Sequence, residues 1–252
     1  MTEILAIINQ KGGVGKSTTA QAIGQGLAEI YKKKVLFVDL DAQGNLSYSL
    51  DVQQSPLSVL DVLTGKEKTK DVIVRSSQGD ILPSNIQLSG ADLILTEMGK
   101  EYKLKEALEP VLNDYDYIIL DTPPALGILT VNALTASTGV IIPAQADIYS
   151  LQGIGQLSRT FEAVRKYCNK NLELRGIVLT RYNKRAILSR DVADLIEETA
   201  KGLNTKVYKT QIREAIAIRE AQIKRVSLFK YAPKSNASAD YRNLIKEVIN
   251  NE

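Results

Sequence analysis

The sequence contains no histidine. That excludes histidine-based metal centres and Ser-His-Asp catalysis. A lone cysteine, Cys168, excludes an internal disulfide framework and fits a reducing compartment. No apolar run approaches the roughly 18 residues of a membrane-spanning helix. The first ten residues, MTEILAIINQ, are too short and lack the basic leader of a secretory signal. Internal repeats and low-complexity tracts are missing, as is any linker long enough to divide the chain. One domain over residues 1–252 is therefore expected. Charge is not one-sided either. The net value of +3, with a pI near 8.7, allows nucleic-acid binding without requiring it.

What is present has the balance of an ordinary globular protein, 44% hydrophobic and 24% charged. Short β-branched runs alternate with helical periodicity. ILAIIN (4–9), KVLFVDLD (34–41), YDYIILDTPP (115–124), TGVIIPAQ (138–145) and LELRGIVLTRYN (172–183) read as buried strands, with a shorter one at 79–85. Near-continuous apolar strands fit a mostly parallel sheet covered on both faces. Helices are expected from Lys16 to about Lys32, over 55–64, 86–97 and 100–112, and from Ser150 to Cys168. The last carries a stripe of Ile154, Leu157, Phe161, Val164 and Cys168. The alternation predicts an α/β fold: a doubly wound, mostly parallel sheet with helices on both faces.

Between the first strand and the first helix stands NQKGGVGKST (9–18). Its core, Lys11-Gly12-Gly13-Val14-Gly15-Lys16-Ser17, is a deviant form of the Walker A phosphate loop. Glycines let successive backbone N–H groups turn inward. The helix N-terminus adds partial positive charge beneath a phosphate. Lys16 is expected to reach terminal phosphates and Ser17 to ligate Mg²⁺, with Thr18 completing the loop. The bland alternative is a glycine turn between strand and helix. Two further strands end in aspartate, at Asp39 and Asp121, and Asp41 follows two residues after Asp39. In a parallel sheet the ligand crevice lies beyond the carboxyl ends of the strands. Asp121 suits a water-mediated hold on Mg²⁺, Asp39 could do likewise, and Asp41 could orient an attacking water. Taken singly, each also reads as a solvated strand-end carboxylate.

These residues resemble the ParA/MinD superfamily of deviant Walker A ATPases, and small ParA (Soj-like) DNA-partition ATPases in particular. The resemblance rests on KGGVGKSTTA, VLFVDLDAQGN, YIILDTPP, VIIPAQADIYSLQGIGQL and IREAIAIREAQ (212–222). It implies ATP and Mg²⁺ as the bound pair. It also implies that Lys11 crosses a dimer interface to the partner's phosphates, like an arginine finger supplied in trans. ATP would then hold a sandwich homodimer together. Asn183 is the implied adenine contact. Where Soj-like members carry a Pro-Arg-Asn run, this chain has Arg213, Glu214 and Ala215.

The superfamily includes DNA-binding and membrane-binding branches. The C-terminal stripe Tyr241, Leu244, Ile245, Val248 and Ile249 lacks the bulky aromatics and strongly basic face of a membrane-surface helix. It reads as a docked core helix, with no membrane partner expected. Basic residues gather in the last third, and the resemblance points to Arg190 and Arg219, with Lys224 nearby, as the non-specific DNA surface. Glu197, Glu198, Glu214 and Glu220 are interspersed, so a solvated charged face is the competing reading. No N-terminal helix-turn-helix domain is expected. The implied protein is a cytoplasmic, nucleoid-associated ATPase stimulated by a ParB-like centromere-binding partner. A MinD-like positioning ATPase and a non-hydrolytic ATP-dependent scaffold remain as alternatives. A redox role is disfavoured, because Cys168 stands alone on a predicted helix.

Overall fold

The computed structural model describes residues 1–52 and 55–250. Asn251 and Glu252, which end the C-terminal stretch, lie outside the described residues. The first half holds β1 (Glu3–Ile7), α1 (Lys16–Glu29), β2 (Val35–Asp39), α2 (Asn45–Ser49), α3 (Val59–Leu63) and α4 (Thr69–Val72). It continues with β3 (Val74–Ser76), β4 (Gly79–Leu82), α5 (Ala91–Ile94), α6 (Lys103–Leu108) and β5 (Tyr117–Asp121). The second half holds α7 (Ile128–Ala136), β6 (Gly139–Ala144), α8 (Ile148–Tyr167), β7 (Glu173–Leu179) and α9 (Ile187–Gly202). It ends in α10 (Ile216–Ile223), α11 (Leu228–Tyr231) and α12 (Asn236–Asn250).

The strands form one sheet in the order β3-β4-β2-β5-β1-β6-β7. All pairs are parallel except β3–β4 at the edge. Alternate residues of each strand feed opposite cores, as the period of two requires. Ile4, Ala6 and Ile8 join Leu36, Val38, Ile118 and Leu120 in a core shared with α3, α6, α7, α8 and α9. Leu5 and Ile7 join Phe37, Ile119 and Val178 in the other, shared with α1, α10, α11 and α12. Burial on both faces explains why these strands carry no polar alternation. The C-terminal stripe is docked as expected: Tyr241, Leu244 and Ile245 are buried in the second core. No helix among the described residues is long and apolar enough to cross a membrane.

Two expected helices are corrected. Residues 86–97 form a 3₁₀ turn (Ile86–Gly90) and the short α5, and residues 100–112 divide into 3₁₀, α and 3₁₀ pieces. Gly90 stands at the first break, Gly99 caps the start of the second segment, and Pro110 sits in the first turn of the last 3₁₀ piece, where its missing N–H is tolerated.

Register brings the site together. Ile7 lies opposite Asp121, and Asp121 opposite Asp39, across adjacent parallel strands. The carboxyl ends of β1, β5 and β2 therefore finish level, and the loop into α1 rises from that edge.

Candidate nucleotide site

The phosphate loop is held from behind by neighbouring strand ends. Thr180, just past β7, donates its hydroxyl to the Val14 carbonyl at 2.7 Å. Gln145, just past β6, donates to the Gly13 carbonyl at 3.2 Å. Asn9 accepts from the Lys11 N–H at 2.9 Å and donates to the Pro143 carbonyl at 2.7 Å. Gly13 and Gly15 take left-handed backbones, φ 75° and 87°, which suit glycine and turn the chain into α1. A Cβ added at Gly12, Gly13 or Gly15 would meet nothing within 4 Å. The space above the loop is therefore open to a ligand, not filled by the fold.

Gly12, Gly13, Gly15, Lys16, Ser17, Thr18 and Asp41 all line one cleft of about 580 Å³. Val14 is buried behind it. Lys16 is itself buried, and its ammonium reaches the Lys11 carbonyl at 3.3 Å. Burial lowers its pKa, while the charges of Asp121 and Asp41 act in the opposite direction.

Asp39 and Asp121 are both fully buried, yet their surroundings differ. Asp39 accepts from the Asp41 N–H (3.1 Å), the Ser47 N–H (2.8 Å) and the Ser47 hydroxyl (2.7 Å). Burial pushes its pKa up to about 6, and those hydrogen bonds restrain the rise. Its oxygens are engaged in shaping the turn that carries Asp41. Neither oxygen of Asp121 has a hydrogen-bond partner. Burial, and then the charge of Asp39, raise its pKa well above the ordinary range, against the pull of Ser17 and Lys16. A buried, unpartnered carboxylate beside a serine hydroxyl fits a divalent cation bound through few protein oxygens and the phosphates of a ligand. Asp41 is buried too, and it accepts from the Gln43 N–H at 3.0 Å.

Lys11 points away from its own loop. Its ammonium pairs with Asp147, the N-cap of α8, and reaches Gln145 Oε1 at 3.2 Å. Burial works to raise the Asp147 pKa, but the Lys11 hydrogen bond, the Ser150 N–H and the Lys11 charge hold it below the ordinary range.

The remaining expected residues divide. Arg219 lines the cleft and pairs with Glu214 at 3.3 Å. Arg190 and Lys224 are exposed and do not line it. Asn183 is exposed and accepts from the Arg185 N–H at 3.0 Å, closing a turn outside the cleft. The neighbouring Arg181, left-handed at φ 49°, faces the cleft in its place. A small recess of about 70 Å³ continues from Val14 and Thr18 toward Ile212, Ala215 and Ile218. Arg213 also lines it, with its guanidinium paired to Asp240 at 2.7 Å. Gln222 joins the recess to the loop by donating to the Thr18 hydroxyl at 3.1 Å. Arg181 reads from the sequence only as one of the basic residues of the last third, and Tyr48 and Gln222 have no local cue at all. Each is far along the chain from the loop, and only the tertiary fold brings it there.

Known proteins with this arrangement cover the whole chain. A family model described as an AAA domain matches residues 2–174. The sporulation initiation inhibitor protein Soj of Bacillus subtilis is 41% identical, with 100% of both chains covered. The chromosome partitioning protein ParA of Caulobacter vibrioides is 38% identical, over 99% of this chain and 94% of that one. A Mycobacterium smegmatis structure solved under the name cobyrinic acid a,c-diamide synthase, with bound ADP and magnesium, is 36% identical. It matches with a TM-score of 0.84 over 99% of this chain and 94% of its own. The loop Lys11-Gly12-Gly13-Val14-Gly15-Lys16-Ser17, the level strand-end aspartates and these full-length likenesses lead to one conclusion: the chain belongs to the ParA/MinD superfamily of deviant Walker A ATPases, on the side of its small ParA, Soj-like members.

Proposed function

We propose that this protein is a Mg²⁺-ATP-dependent partition ATPase whose ATP-bound homodimer holds non-specific DNA. The observation that carries the reading is the cleft itself. Lys16, Ser17 and Asp41 line it above the unpartnered Asp121, around a loop with open space over its glycines.

The triphosphate lies along the loop, where backbone N–H groups and the α1 N-terminus meet its charge. The purine enters the recess, against Val14, Ile212 and Ile218. Lys16 exchanges its long contact to the Lys11 carbonyl for phosphate oxygens. Ser17 and Asp121 would hold the cation, and Mg²⁺ bound there would offset phosphate charge. Asp41, fixed by its turn, orients the water that attacks the γ-phosphorus. Asp39 supports that turn through Ser47 and the Asp41 N–H.

Lys11 serves the partner subunit. It must leave Asp147 and Gln145 to do so, and closure of the sandwich supplies phosphate in exchange. The basic residues Arg190, Arg219 and Lys224 from two subunits then act on one rigid body, which raises DNA affinity steeply. A ParB-like centromere-binding protein stimulates hydrolysis, and hydrolysis releases the DNA. The protein acts at the nucleoid in this reading. The burial of the α12 stripe leaves that helix without the free apolar face that membrane anchoring needs.

Fluorescence anisotropy on two unrelated duplexes, in ATP and in ADP across a salt series, tests this. Affinity should be much higher in ATP, equal for both sequences and steeply salt-dependent. Each neutralised phosphate adds about 0.9 to the magnitude of the log–log slope, so Arg219→Ala should lower that magnitude by roughly 2 per dimer. Equal affinity in both nucleotides would overturn the gating.

A further inference from the structure

Asp51 and Arg225 both take left-handed backbones, φ 62° and 52°. Each directly follows the residue that closes a helix: Leu50 closes α2 and Lys224 closes α10. That position favours glycine, because a Cβ is crowded there. The sequence nonetheless keeps a charged side chain at both, and the two side chains meet. Arg225 Nη1 lies 2.7 Å from Asp51 Oδ1. The guanidinium carbon also sits 4.6 Å from the centre of the Tyr48 ring in α2. Gln78, in the β3–β4 turn, completes the contact. It donates to the Ser49 carbonyl at 3.3 Å and to the Arg225 carbonyl, and accepts from Gln25 of α1 at 2.9 Å.

This clasp joins the two elements that flank the cleft. α2 begins just past Asp41, and its Ser47 holds the Asp39 carboxylate. α10 reaches the phosphate loop through Gln222 and Thr18, and it presents Arg219 to the cleft. We infer that Arg225 is a positioning residue: with Asp51, Tyr48 and Gln78 it makes the Asp41 segment and α10 move as one body, so the state of the terminal phosphate reaches the helix bearing Arg219. The inference rests on the reading of the cleft as an ATP site.

Arg225→Gly is the direct test, because glycine suits the backbone and only the side chain is lost. KM for ATP should stay within about twofold, since the loop and recess are untouched. In the presence of DNA, kcat should fall about tenfold, and the ATP-over-ADP preference in DNA affinity should shrink by a similar factor. Asp51→Arg and Arg225→Asp should each be as impaired as the glycine variant, and their combination should recover most of the loss. A double variant that recovers nothing overturns the ion pair as the link. Amide hydrogen exchange gives a readout independent of turnover. On adding ATP, residues 41–49 and 216–224 should both gain protection in the wild type, and only 41–49 in Arg225→Gly. If both segments still respond in that variant, with the ATP preference intact, the clasp is overturned. If neither responds in the wild type, the ATP reading itself fails.

Discussion

The two ends of the sheet are built from the same strands, yet they treat their carboxylates differently. At the amino end each named carboxylate has a partner, although Arg175 Nε makes no hydrogen bond. Arg175 of β7 lies 2.9 Å from Glu3 of β1 and 3.2 Å from Glu173. Asp116 accepts from the Lys34 N–H, and Asp80 from the Tyr115 hydroxyl, both at 2.8 Å. At the carboxyl end, Asp121 has no partner and Lys16 spends its charge on a backbone carbonyl. Lys11 is parked on a residue outside its loop. Unsatisfied buried groups cost stability, and they persist where a ligand supplies what is missing. Asp39 and Asp121 sharpen the contrast, being register partners of equal burial with three donors on one and none on the other.

The largest expected effect lies at the carboxyl end. Lys16→Ala should weaken ATP binding by roughly 100-fold or more, because the cation facing the terminal phosphates is removed. Titration with a fluorescent ATP analogue reads this directly. Unchanged affinity would place the nucleotide elsewhere.

The aspartate pair should then respond differently. Asp39→Asn weakens or loses hydrogen bonds that now bind the turn, and should cost about 1–3 kcal/mol in urea unfolding of the ligand-free protein. Asp121→Asn replaces a fully buried carboxyl that by geometry no hydrogen bond holds, and whose charged form only the nearby Ser17 and Lys16 favour. It should change ligand-free stability by less than about 1 kcal/mol while abolishing most Mg²⁺-dependent hydrolysis. Equal destabilisation by both would erase the distinction. The smallest effect belongs to the amino end. Arg175→Ala should cost about 1 kcal/mol or less, since its pairs are partly solvated, and leave ATP turnover unchanged. A loss of turnover there would mean that the two ends are not independent.

Much of this was legible because the cues are local. The strands from Glu3, Val35, Tyr117, Gly139 and Glu173 announce themselves as apolar runs, and the glycines and lysines of the loop sit within one stretch. What escaped has physical reasons. The edge strand β3 is three part-exposed residues with no pattern to read. α7 is buried around nearly all its surface, so it shows no amphipathic period. α9 does carry a stripe, Val192, Ala193, Ile196 and Ala200, but two of the four are alanines and charged residues are interleaved, so the apolar period is weak. Asn183 and Arg181 differ by two places, yet only Arg181, at a left-handed backbone position, lines the cleft, while Asn183 closes a turn with the Arg185 N–H. A single positive φ at an arginine has no signature in the sequence.

In the proposed function, Lys11 completes a neighbour's site and not its own. Mixing two inactive variants tests it most directly. Lys11→Ala leaves each subunit with Asp41 but no lysine to lend. Asp41→Ala binds ATP and keeps Lys11, but cannot orient the water. In a mixed dimer, the Lys11→Ala subunit holds an intact Asp41 and receives Lys11 from its partner. Phosphate release, measured with ATP, Mg²⁺ and DNA at a fixed total concentration, should be near background for each variant alone. It should rise to a substantial fraction of the wild-type rate on mixing. A mixture that stays at background while light scattering shows mixed dimers would contradict the account and return Lys11 to its own subunit.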